Sequence, residues 1–267
     1  MNPIIQFYEM YDEESRLQSR KSKNVEFVTT TKLLDTYFTK KMNILEVGAG
    51  SGIYSFYFAQ QGHNVTATDL TPKHVAIMNR RLQDNPKLPI QIMEANATEL
   101  KMFEDSKFDA ALCLGPLYHL VDVDQQNKCI SECLRVLKPG GIAAFAYIPR
   151  LQVFPYVVQG DRRYLTDNWM ERIIDRGATY ANEEDSFWTD AYYHTSEEIE
   201  KRLGAHSVET IDHIGTDGIA PLIGEFIDQL NDDEYEVWLK YHWKTCREPS
   251  ILGMSNHALI LCKKIDC

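Results

Sequence analysis

Short apolar runs alternate with amphipathic segments between residues 42 and 148. The apolar runs predict five strands, at 42–47, 64–68, 90–93, 108–114 and 142–148. The amphipathic segments predict three helices, near 52–61, 72–84 and 124–137. Because two parallel strands joined through a helix need a right-handed crossover, the helices are expected to cover both faces of one sheet. The pattern therefore predicts an α/β fold with a doubly wound sheet.

The segments that flank this core have other patterns. Residues 3–39 predict two helices, and the aromatic-rich segment 149–193 is expected to be irregular. Lys138-Pro139-Gly140-Gly141 is expected to end a helix and turn before the fifth strand. Later elements are two strands near 208–214 and 257–262, with a helical stretch at about 221–246 between them. We therefore divide the chain into 1–41, a core at 42–148, an insertion at 149–193, and 194–267, which completes the sheet.

The turn after the first predicted strand is the most informative segment. It contains Gly48, Gly50 and Gly52, and the acidic residue Glu46 precedes it. Glycines let the backbone approach a ligand closely, and the following helix presents free N–H groups. The spacing is Gly-x-Gly-x-Gly, whereas dinucleotide-binding turns have Gly-x-Gly-x-x-Gly. A carboxylate here repels a pyrophosphate but suits a ligand with cationic groups, such as an ammonium and a sulfonium.

Asp69 ends the second predicted strand. A carboxylate at this position can accept hydrogen bonds from both hydroxyls of a ribose, as the acidic residue about 20 positions after the glycines does in dinucleotide-binding folds. Asp69 can instead cap the next helix. The glycine turn before it favours the ribose role.

The order and spacing of these motifs resemble those of class I methyltransferases that use S-adenosylmethionine (SAM). The resemblance covers about 42–148 and rests on five segments, Glu46-Val47-Gly48-Ala49-Gly50-Ser51-Gly52, Asp69, Glu94-Ala95-Asn96-Ala97, Phe108-Asp109-Ala110-Ala111-Leu112-Cys113-Leu114 and Leu134-Arg135-Val136-Leu137-Lys138-Pro139-Gly140-Gly141. Further segments resemble a bacterial, small-molecule methyltransferase-like subgroup, at 11–17, 114–120, 194–198 and 248–253. The family implies a Rossmann-like, seven-stranded sheet whose last strand is antiparallel, with SAM as cofactor. It also implies that residues 1–41 form a helical lid.

The resemblance implies a cofactor role for ten residues. Glu46, Gly48, Ala49 and Gly50 would line the methionine part of SAM, Asp69 its ribose, and Leu70, Asn96 and Ala97 its adenine. Leu114 would offer backbone near the methionine carboxylate or amine, and Tyr11 would either close over SAM or pack between helices. Many relatives have aspartate where this chain has Asn96. An amide oxygen can still accept a hydrogen bond from the adenine amino group.

Three residues are candidates for contact with the methyl acceptor. His119 follows the fourth strand, and its imidazole can act as a general base because it titrates near neutral pH. It can instead pack in the loop and orient Tyr118 or a backbone carbonyl. Tyr118 either contacts the acceptor or packs over the cofactor, and Arg150 either binds an acceptor carboxylate or is an exposed cation. The insertion 149–193 is expected to form the acceptor pocket and its lid.

Charge and cysteine content restrict the substrate and the setting. The net charge is −11, from 39 acidic and 28 basic residues, whereas enzymes that act on nucleic acid usually need a basic face. This balance favours a small-molecule acceptor. No apolar run is long enough to predict a membrane span, and the N-terminus lacks a secretory-signal pattern. Cys129 and Cys133, four apart on a predicted helix, fit core packing better than a metal site. We expect a cytoplasmic enzyme without a metal, as a monomer or homodimer.

The predicted reaction is transfer of a methyl group to an oxygen, nitrogen or sulfur atom of a small molecule by in-line displacement. Other functions remain possible from the same motifs. They are methylation of RNA or of a protein side chain, a nucleotide-dependent redox reaction, and binding of SAM without catalysis. The glycine spacing argues against the redox reaction.

Overall fold

The computed structural model describes residues 2–265, which contain nine strands. In chain order these are β1 Asn43–Val47, β2 Asn64–Asp69, β3 Ile90–Glu94, β4 Phe108–Cys113, β5 Leu137–Tyr147, β6 Ala178–Thr179, β7 Ala191–Tyr192, β8 Val208–Gly215 and β9 Ala258–Lys264. Seven strands form one sheet in the order β3-β2-β1-β4-β5-β9-β8, and β6 pairs with β7 in a separate hairpin. Within the large sheet only the β9 pairings are antiparallel. The predicted seven-stranded, Rossmann-like sheet with an antiparallel last strand is therefore confirmed.

The strands of the core are buried on both faces. In β1, Ile44 packs in one apolar cluster and Leu45 in the cluster on the opposite side. In β4, Leu112 and Ala111 divide between the same two clusters. A parallel sheet covered by helices on both faces has continuous apolar strands rather than alternating ones. Continuous apolar runs in the sequence therefore predicted the positions of the core strands.

Twelve α-helices surround the sheet within the described residues. They are α1 Pro3–Met10, α2 Lys21–Tyr37, α3 Ile53–Gln60, α4 Pro72–Asp84, α5 Pro116–His119, α6 Val123–Val136, α7 Arg150–Gly160, α8 Asp167–Ile174, α9 Ser196–Gly204, α10 Gly224–Asp228, α11 Asp232–Thr245 and α12 Pro249–Met254. Across residues 2–265, none of the helices has both the length and the apolar character that crossing a membrane requires.

Two local predictions, at 149–193 and 138–141, are wrong, and a third, at 221–246, is refined. The segment 149–193 is not irregular, since it contains α7, a 3₁₀ turn at Arg162–Tyr164, α8 and the β6–β7 hairpin. The helical stretch at 221–246 is two helices, because the Asn231 side chain accepts a hydrogen bond from Glu234 N and starts α11 anew. Strand β5 already begins at Leu137, and Gly140, with φ of +70°, lies within it. The register between β4 and β5 shifts at this point, which accommodates the glycines inside the strand.

Three cysteines form a buried cluster below the sheet edge. Cys113 ends β4, and its Sγ lies 3.7 Å from Cys129 Sγ of α6. Cys133, one turn further along α6, belongs to the same group, and all three are fully buried in an apolar cluster. Their environment agrees with the expected core packing of Cys129 and Cys133.

The carboxyl ends of β1, β2 and β4 meet at one edge of the sheet. Val47 lies in register with Thr68 on one side and with Cys113 on the other. The residues that follow these strands are therefore neighbours. Helix α1 is held near this edge by Lys73 of α4, whose Nζ donates to the carbonyl groups at the end of α1, those of Tyr8, Glu9 and Tyr11, at 2.8–3.2 Å. A cation at the C-terminus of a helix also complements its dipole.

Candidate active site

The turn after β1 depends on glycine conformations. Gly48, Gly50 and Gly52 have φ values of +69°, +57° and +81°, in the left-handed region that side chains other than glycine rarely adopt. At Gly48 an added Cβ would also overlap the ring of Pro116 at the start of α5. The turn is fixed to the sheet because Ala49 N donates to Thr68 O at 2.8 Å. Conformation and space both require glycine at position 48.

Asp69 holds this turn in place. Its Oδ2 accepts a hydrogen bond from Gly50 N at 2.7 Å, and its Oδ1 accepts one from Thr71 N at 2.8 Å. His74 Nδ1 lies 3.1 Å from the same Oδ1. The carboxylate thus connects the glycine turn, the end of β2 and helix α4.

A cavity of about 120 Å³ lies against the turn at the sheet edge. Eleven of the thirteen residues singled out from the sequence line it: Glu46, Gly48, Ala49, Gly50, Asp69, Leu70, Asn96, Ala97, Leu114, Tyr118 and His119. Other lining residues include Tyr8, Glu13, Arg16 and His74, which the sequence analysis did not propose. We call this space the first cavity.

Tyr11 does not line the first cavity. Helix α1 ends at Met10, and Tyr11 follows with an extended backbone, stacked on Phe7 at 5.2 Å between ring centroids. Its side chain lines a different cavity and is 37% exposed. Tyr8, almost one helical turn earlier, lines the first cavity instead. The prediction that Tyr11 closes over this space is therefore wrong, and Tyr8 lines the space instead.

Arg150 also lines neither the first cavity nor the cavity that Tyr11 lines. Its Nη2 contacts the two carboxylate oxygens of Glu198 at 2.6 and 2.8 Å, and its Nε donates to Tyr193 O at 3.0 Å. Glu198 is also the third residue of a capping box in which Thr195 is the N-cap of α9. The guanidinium therefore ties α7 to the start of α9. The structure gives it no position from which to bind an acceptor carboxylate.

His119 lies where predicted, but both ring nitrogens are engaged. Nδ1 is 3.1 Å from Asp190 O, and Nε2 is 2.9 Å from the Tyr8 hydroxyl. A carbonyl oxygen only accepts, so Nδ1 carries the proton and Nε2 accepts from Tyr8. Burial lowers the pKa of His119 to about 4, which keeps the ring neutral at physiological pH. These observations count against His119 as a general base and favour its packing role.

Glu46 is fully enclosed beneath the glycine turn. The Ser55 hydroxyl of α3 donates a short hydrogen bond to its Oε2. Burial raises the pKa of Glu46 to about 8, and the nearby Asp69 carboxylate contributes in the same direction. The carboxyl group is therefore largely protonated near neutral pH while the cavity contains no cation.

Replacing Glu46 by glutamine should stabilise the protein near neutral pH. Glutamine keeps an oxygen for Ser55 but has no proton to retain, so at pH 7 we expect a gain of roughly 3 kcal/mol in the free energy of unfolding, since each pH unit above the ordinary pKa contributes about 1.4 kcal/mol. The sign follows from the raised pKa. Between its ordinary value of 4.5 and about 8, the folded wild type retains a proton that the unfolded chain has lost, so its stability falls as pH rises.

Urea unfolding of both proteins across this pH range tests the prediction. The difference should disappear below pH 4.5, where Glu46 is protonated in both states. A difference that is independent of pH would contradict the assigned cause.

A second cavity of about 310 Å³ adjoins the first. Aromatic side chains form much of its wall: Phe7, Tyr8, Tyr11, Tyr118, Tyr156, Phe187, Trp188 and Tyr193. Four residues, Tyr8, Glu13, Arg16 and Tyr118, line both cavities and form the wall between them. Arg16 contacts Glu13 at 2.8 Å and Glu26 at 2.9 Å, so its charge is balanced within this wall.

Polar residues form one end of the second cavity. Glu26 of α2, Asp217 of the loop after β8 and His257, just before β9, lie together there. None of the three was predicted from the sequence, because nothing in the local pattern indicates that positions 26, 217 and 257 meet. Arg16 lies within the segment 11–17 that carries the subgroup resemblance, which was the available signal for that residue.

Comparisons with known proteins show which proteins this chain is similar to. Residues 45–145 match the family described as a methyltransferase domain. A demethylmenaquinone methyltransferase of Clavibacter sepedonicus is 28% identical over 211 residues, which are 76% of this chain and 79% of that protein. A ubiquinone biosynthesis O-methyltransferase of Rickettsia typhi is 33% identical over 110 residues, and this match spans 42% of that protein. A SAM-dependent methyltransferase structure from Methanosarcina mazei has a TM-score of 0.59 with 21% identity, covering 87% of this chain and 97% of that one.

Proposed function

Because this chain is a class I SAM-dependent methyltransferase, we propose that it transfers a methyl group to an oxygen, nitrogen or sulfur atom of a small molecule held in the second cavity. The observation that carries the proposal is the pair of adjoining cavities. The first is lined by the glycine turn and three acidic residues, Glu13, Glu46 and Asp69, and the second largely by aromatic residues, and the two share a wall. A donor and an acceptor bound on the two sides would meet at that wall.

The residues of the first cavity fit SAM. Glu46 and Asp69 provide carboxyl groups for a ligand that carries an ammonium and a sulfonium, and the glycine turn leaves its backbone accessible. His74 Nε2 is buried and finds no hydrogen-bond partner among residues 2–265. A buried polar atom without a partner is costly, and a ribose hydroxyl would satisfy it. We therefore propose Asp69 and His74 together as the ribose contact.

The predicted contact between Asn96 and the adenine needs one revision. Asn96 Oδ1 already accepts hydrogen bonds from Thr98 N at 3.0 Å and Thr98 Oγ1 at 2.9 Å. This fixes the amide so that its NH₂ group is the free end. We propose that Asn96 donates to an adenine ring nitrogen, rather than accepting from the amino group, while Leu70 and Ala97 pack against the ring. Leu114 remains proposed for backbone contact with the methionine part, beside Gly48, Ala49 and Gly50.

SAM supplies a methyl group that its sulfonium has already activated. The protein then has to align the acceptor with that group and exclude water, and alignment alone can contribute about 7–11 kcal/mol. Tyr8 and His119 close the wall above the first cavity through their hydrogen bond. Tyr118, buried between the two cavities, is proposed to contact both ligands.

The aromatic wall of the second cavity supports a flat, partly apolar acceptor. The names of the two relatives refer to demethylmenaquinone and to ubiquinone biosynthesis, and a ring compound of that general kind suits this lining. We propose residues 1–41 and 149–193 as lids over the two cavities, since α1 and the insertion supply much of the wall. A cytoplasmic monomer or homodimer remains our proposal for the working form.

Two measurements test the function. Calorimetry should detect SAM binding, and a metabolite screen should detect S-adenosylhomocysteine release that depends on both SAM and an acceptor. Binding of NADH without binding of SAM would reject the assignment. SAM binding without turnover of any acceptor would favour the alternative of a protein that binds SAM but does not catalyse.

We expect His119→Ala to slow methyl transfer by about tenfold or more while SAM affinity changes little. The substitution removes the partner of the Tyr8 hydroxyl, so α1 loses one of its anchors beside the reacting groups, and small displacements of this kind reduce rates strongly. Tyr8→Phe, which removes the same hydrogen bond from the other side, should have a similar effect. A normal rate in both variants would show that this contact has no part in closing the site.

A further inference from the structure

His257 is oriented by two carboxylates at the end of the second cavity. Its Nδ1 lies 3.2 Å from Glu26 Oε2 and 3.5 Å from Asp217 Oδ2. Asp217 is itself buried and fixed, because its Oδ1 accepts hydrogen bonds from Ser255 Oγ, Asn256 N and His257 N at 2.8–3.0 Å. Glu26 is fixed by Arg16, whose two terminal nitrogens contact its two oxygens.

This arrangement determines which ring nitrogen is free. Carboxylates only accept hydrogen bonds, so the two of them favour a proton on Nδ1. Asn256 Nδ2 is placed 3.0 Å from Nδ1, and turning this amide by 180° would bring its oxygen there to accept from the Nδ1 proton. Nε2 has no hydrogen-bond partner among the described residues, and His257 lines the second cavity. The unprotonated nitrogen is therefore available to a molecule bound there.

We propose that His257 is the general base for methylation of an aromatic hydroxyl in the second cavity, with Glu26 and Asp217 as its positioning residues. The proposal rests on the proposed function and specifies its acceptor. A hydroxyl needs a base because it is a poor nucleophile while protonated, whereas a neutral amine does not. The aromatic wall of the second cavity suits the aromatic ring of the acceptor, and the oriented imidazole suits its hydroxyl, whose proton it can accept.

The transfer breaks two bonds and forms two. The acceptor O–H bond breaks and its proton moves to His257 Nε2. The oxygen lone pair forms a bond to the methyl carbon as the carbon–sulfur bond breaks, and that electron pair remains on sulfur. The products are a methyl ether, a neutral thioether and an imidazolium, which returns its proton to water after the products leave.

Two carboxylates and one guanidinium surround the His257 ring. Glu26 on α2 and Asp217 after β8 face Nδ1, Arg16 lies behind Glu26, and the Tyr118 ring of α5 is 6.0 Å away. Burial alone would raise the pKa of Asp217, but its hydrogen bond and charge interaction with His257 outweigh burial and lower it. The pair is therefore stable with the carboxylate ionised.

A divalent cation is the main competing occupant of this cluster. Glu26, Asp217 and His257 present ligand atoms within 4.8 Å of one another. Glu26 already holds the Arg16 guanidinium with both oxygens, and a second cation would have to displace or face it. The arginine therefore favours the base over a cation, and the experiment separates the two.

Phenol and 4-nitrophenol serve as probes in methylation assays with His257→Gln and Glu26→Gln. Phenol stays protonated in neutral water, whereas 4-nitrophenol ionises. We expect His257→Gln to slow phenol methylation by about 100-fold or more but to slow methylation of ionised 4-nitrophenol by only a few-fold. Glu26→Gln should give a smaller loss of the same kind. His213→Gln is the matched control, because it removes a histidine paired with Glu200 at 2.8 Å outside both cavities, and it should leave both rates unchanged.

A second readout needs no turnover. With S-adenosylhomocysteine in place of SAM, wild-type protein should increase the ionised, yellow fraction of bound 4-nitrophenol, and His257→Gln should not. A merely structural role of His257 would slow both acceptors equally and leave this absorbance unchanged, which would overturn the proposal. Activity lost on chelation and restored by Mg²⁺ would also overturn it.

A wild type that binds SAM but methylates neither phenol would reject the aromatic hydroxyl as acceptor, whereas failure to bind SAM would reject the methyltransferase function itself.

Discussion

Gly48→Ala is expected to abolish measurable SAM binding and to destabilise the fold. Gly48 has φ of +69°, which costs an alanine roughly 1–2 kcal/mol. The added Cβ would overlap the ring of Pro116, which is part of the backbone at the start of α5 and cannot rotate away. The turn or α5 must therefore shift, and both line the first cavity. We expect the affinity for SAM to fall by more than about 100-fold, which corresponds to about 2.7 kcal/mol.

Gly62→Ala provides a matched control. Gly62 has φ of +92°, so alanine suffers a similar conformational penalty there, but an added Cβ meets no atom within 4 Å. This variant should lose about 1 kcal/mol of stability and bind SAM normally. Calorimetric titration of both variants, with thermal unfolding in parallel, makes the comparison. Equal SAM affinity in the two would show that the turn does not approach the ligand.

Asp69→Ala is expected to have the second largest effect. The carboxylate accepts hydrogen bonds from Gly50 N and Thr71 N and contacts His74, so alanine leaves buried donors without partners. Hydrogen bonds to charged groups contribute about 1.5–3 kcal/mol each. We expect a loss of about 4 kcal/mol, divided between the free energy of unfolding and the SAM affinity.

The control for this prediction is Asp109→Ala. Asp109 lies at the opposite end of the sheet, where it accepts a hydrogen bond from Asn43 N at 2.8 Å and contacts Lys138 at 2.7 Å. Its replacement also removes a carboxylate that binds a backbone N–H, but it should lower stability only. If both variants lose SAM affinity in proportion to stability, Asp69 has no direct role with the ligand.

The core of the fold followed from local sequence signals. Strands buried on both faces are continuous apolar runs, and the turn at Gly48 is restricted by backbone conformation within a few residues. Most residues near these strand ends were therefore placed in one cavity by topology alone, because carboxyl ends of parallel strands share an edge. Asp69 and Glu46 were found in this way.

Long-range contacts could not be read from the sequence. Tyr8 and not Tyr11 reaches the first cavity because α1 ends at Met10, and helix ends are poorly defined by periodicity. Arg150 is engaged by Glu198, 48 residues away. The low pKa of His119 depends on burial under Tyr8, a contact across 111 residues. Arg150 and His119 were noticed in the sequence, but the residues that engage their side chains were not.

The direction of β9 has a consequence for how such a chain can change its substrate. β9 runs against β5 and β8, with Ala258 beside both Tyr147 and Gly215, so the start of β9 lies where its neighbours finish. Asp217, Asn256 and His257 of the β8–β9 connection therefore line the second cavity together with Glu26 of α2, which is far from them in the chain. The first cavity is lined mostly by residues within 46–120, with a smaller share from residues 4–17. Under the proposed function, changes in the β8–β9 connection can therefore alter the acceptor without touching any residue that lines the first cavity.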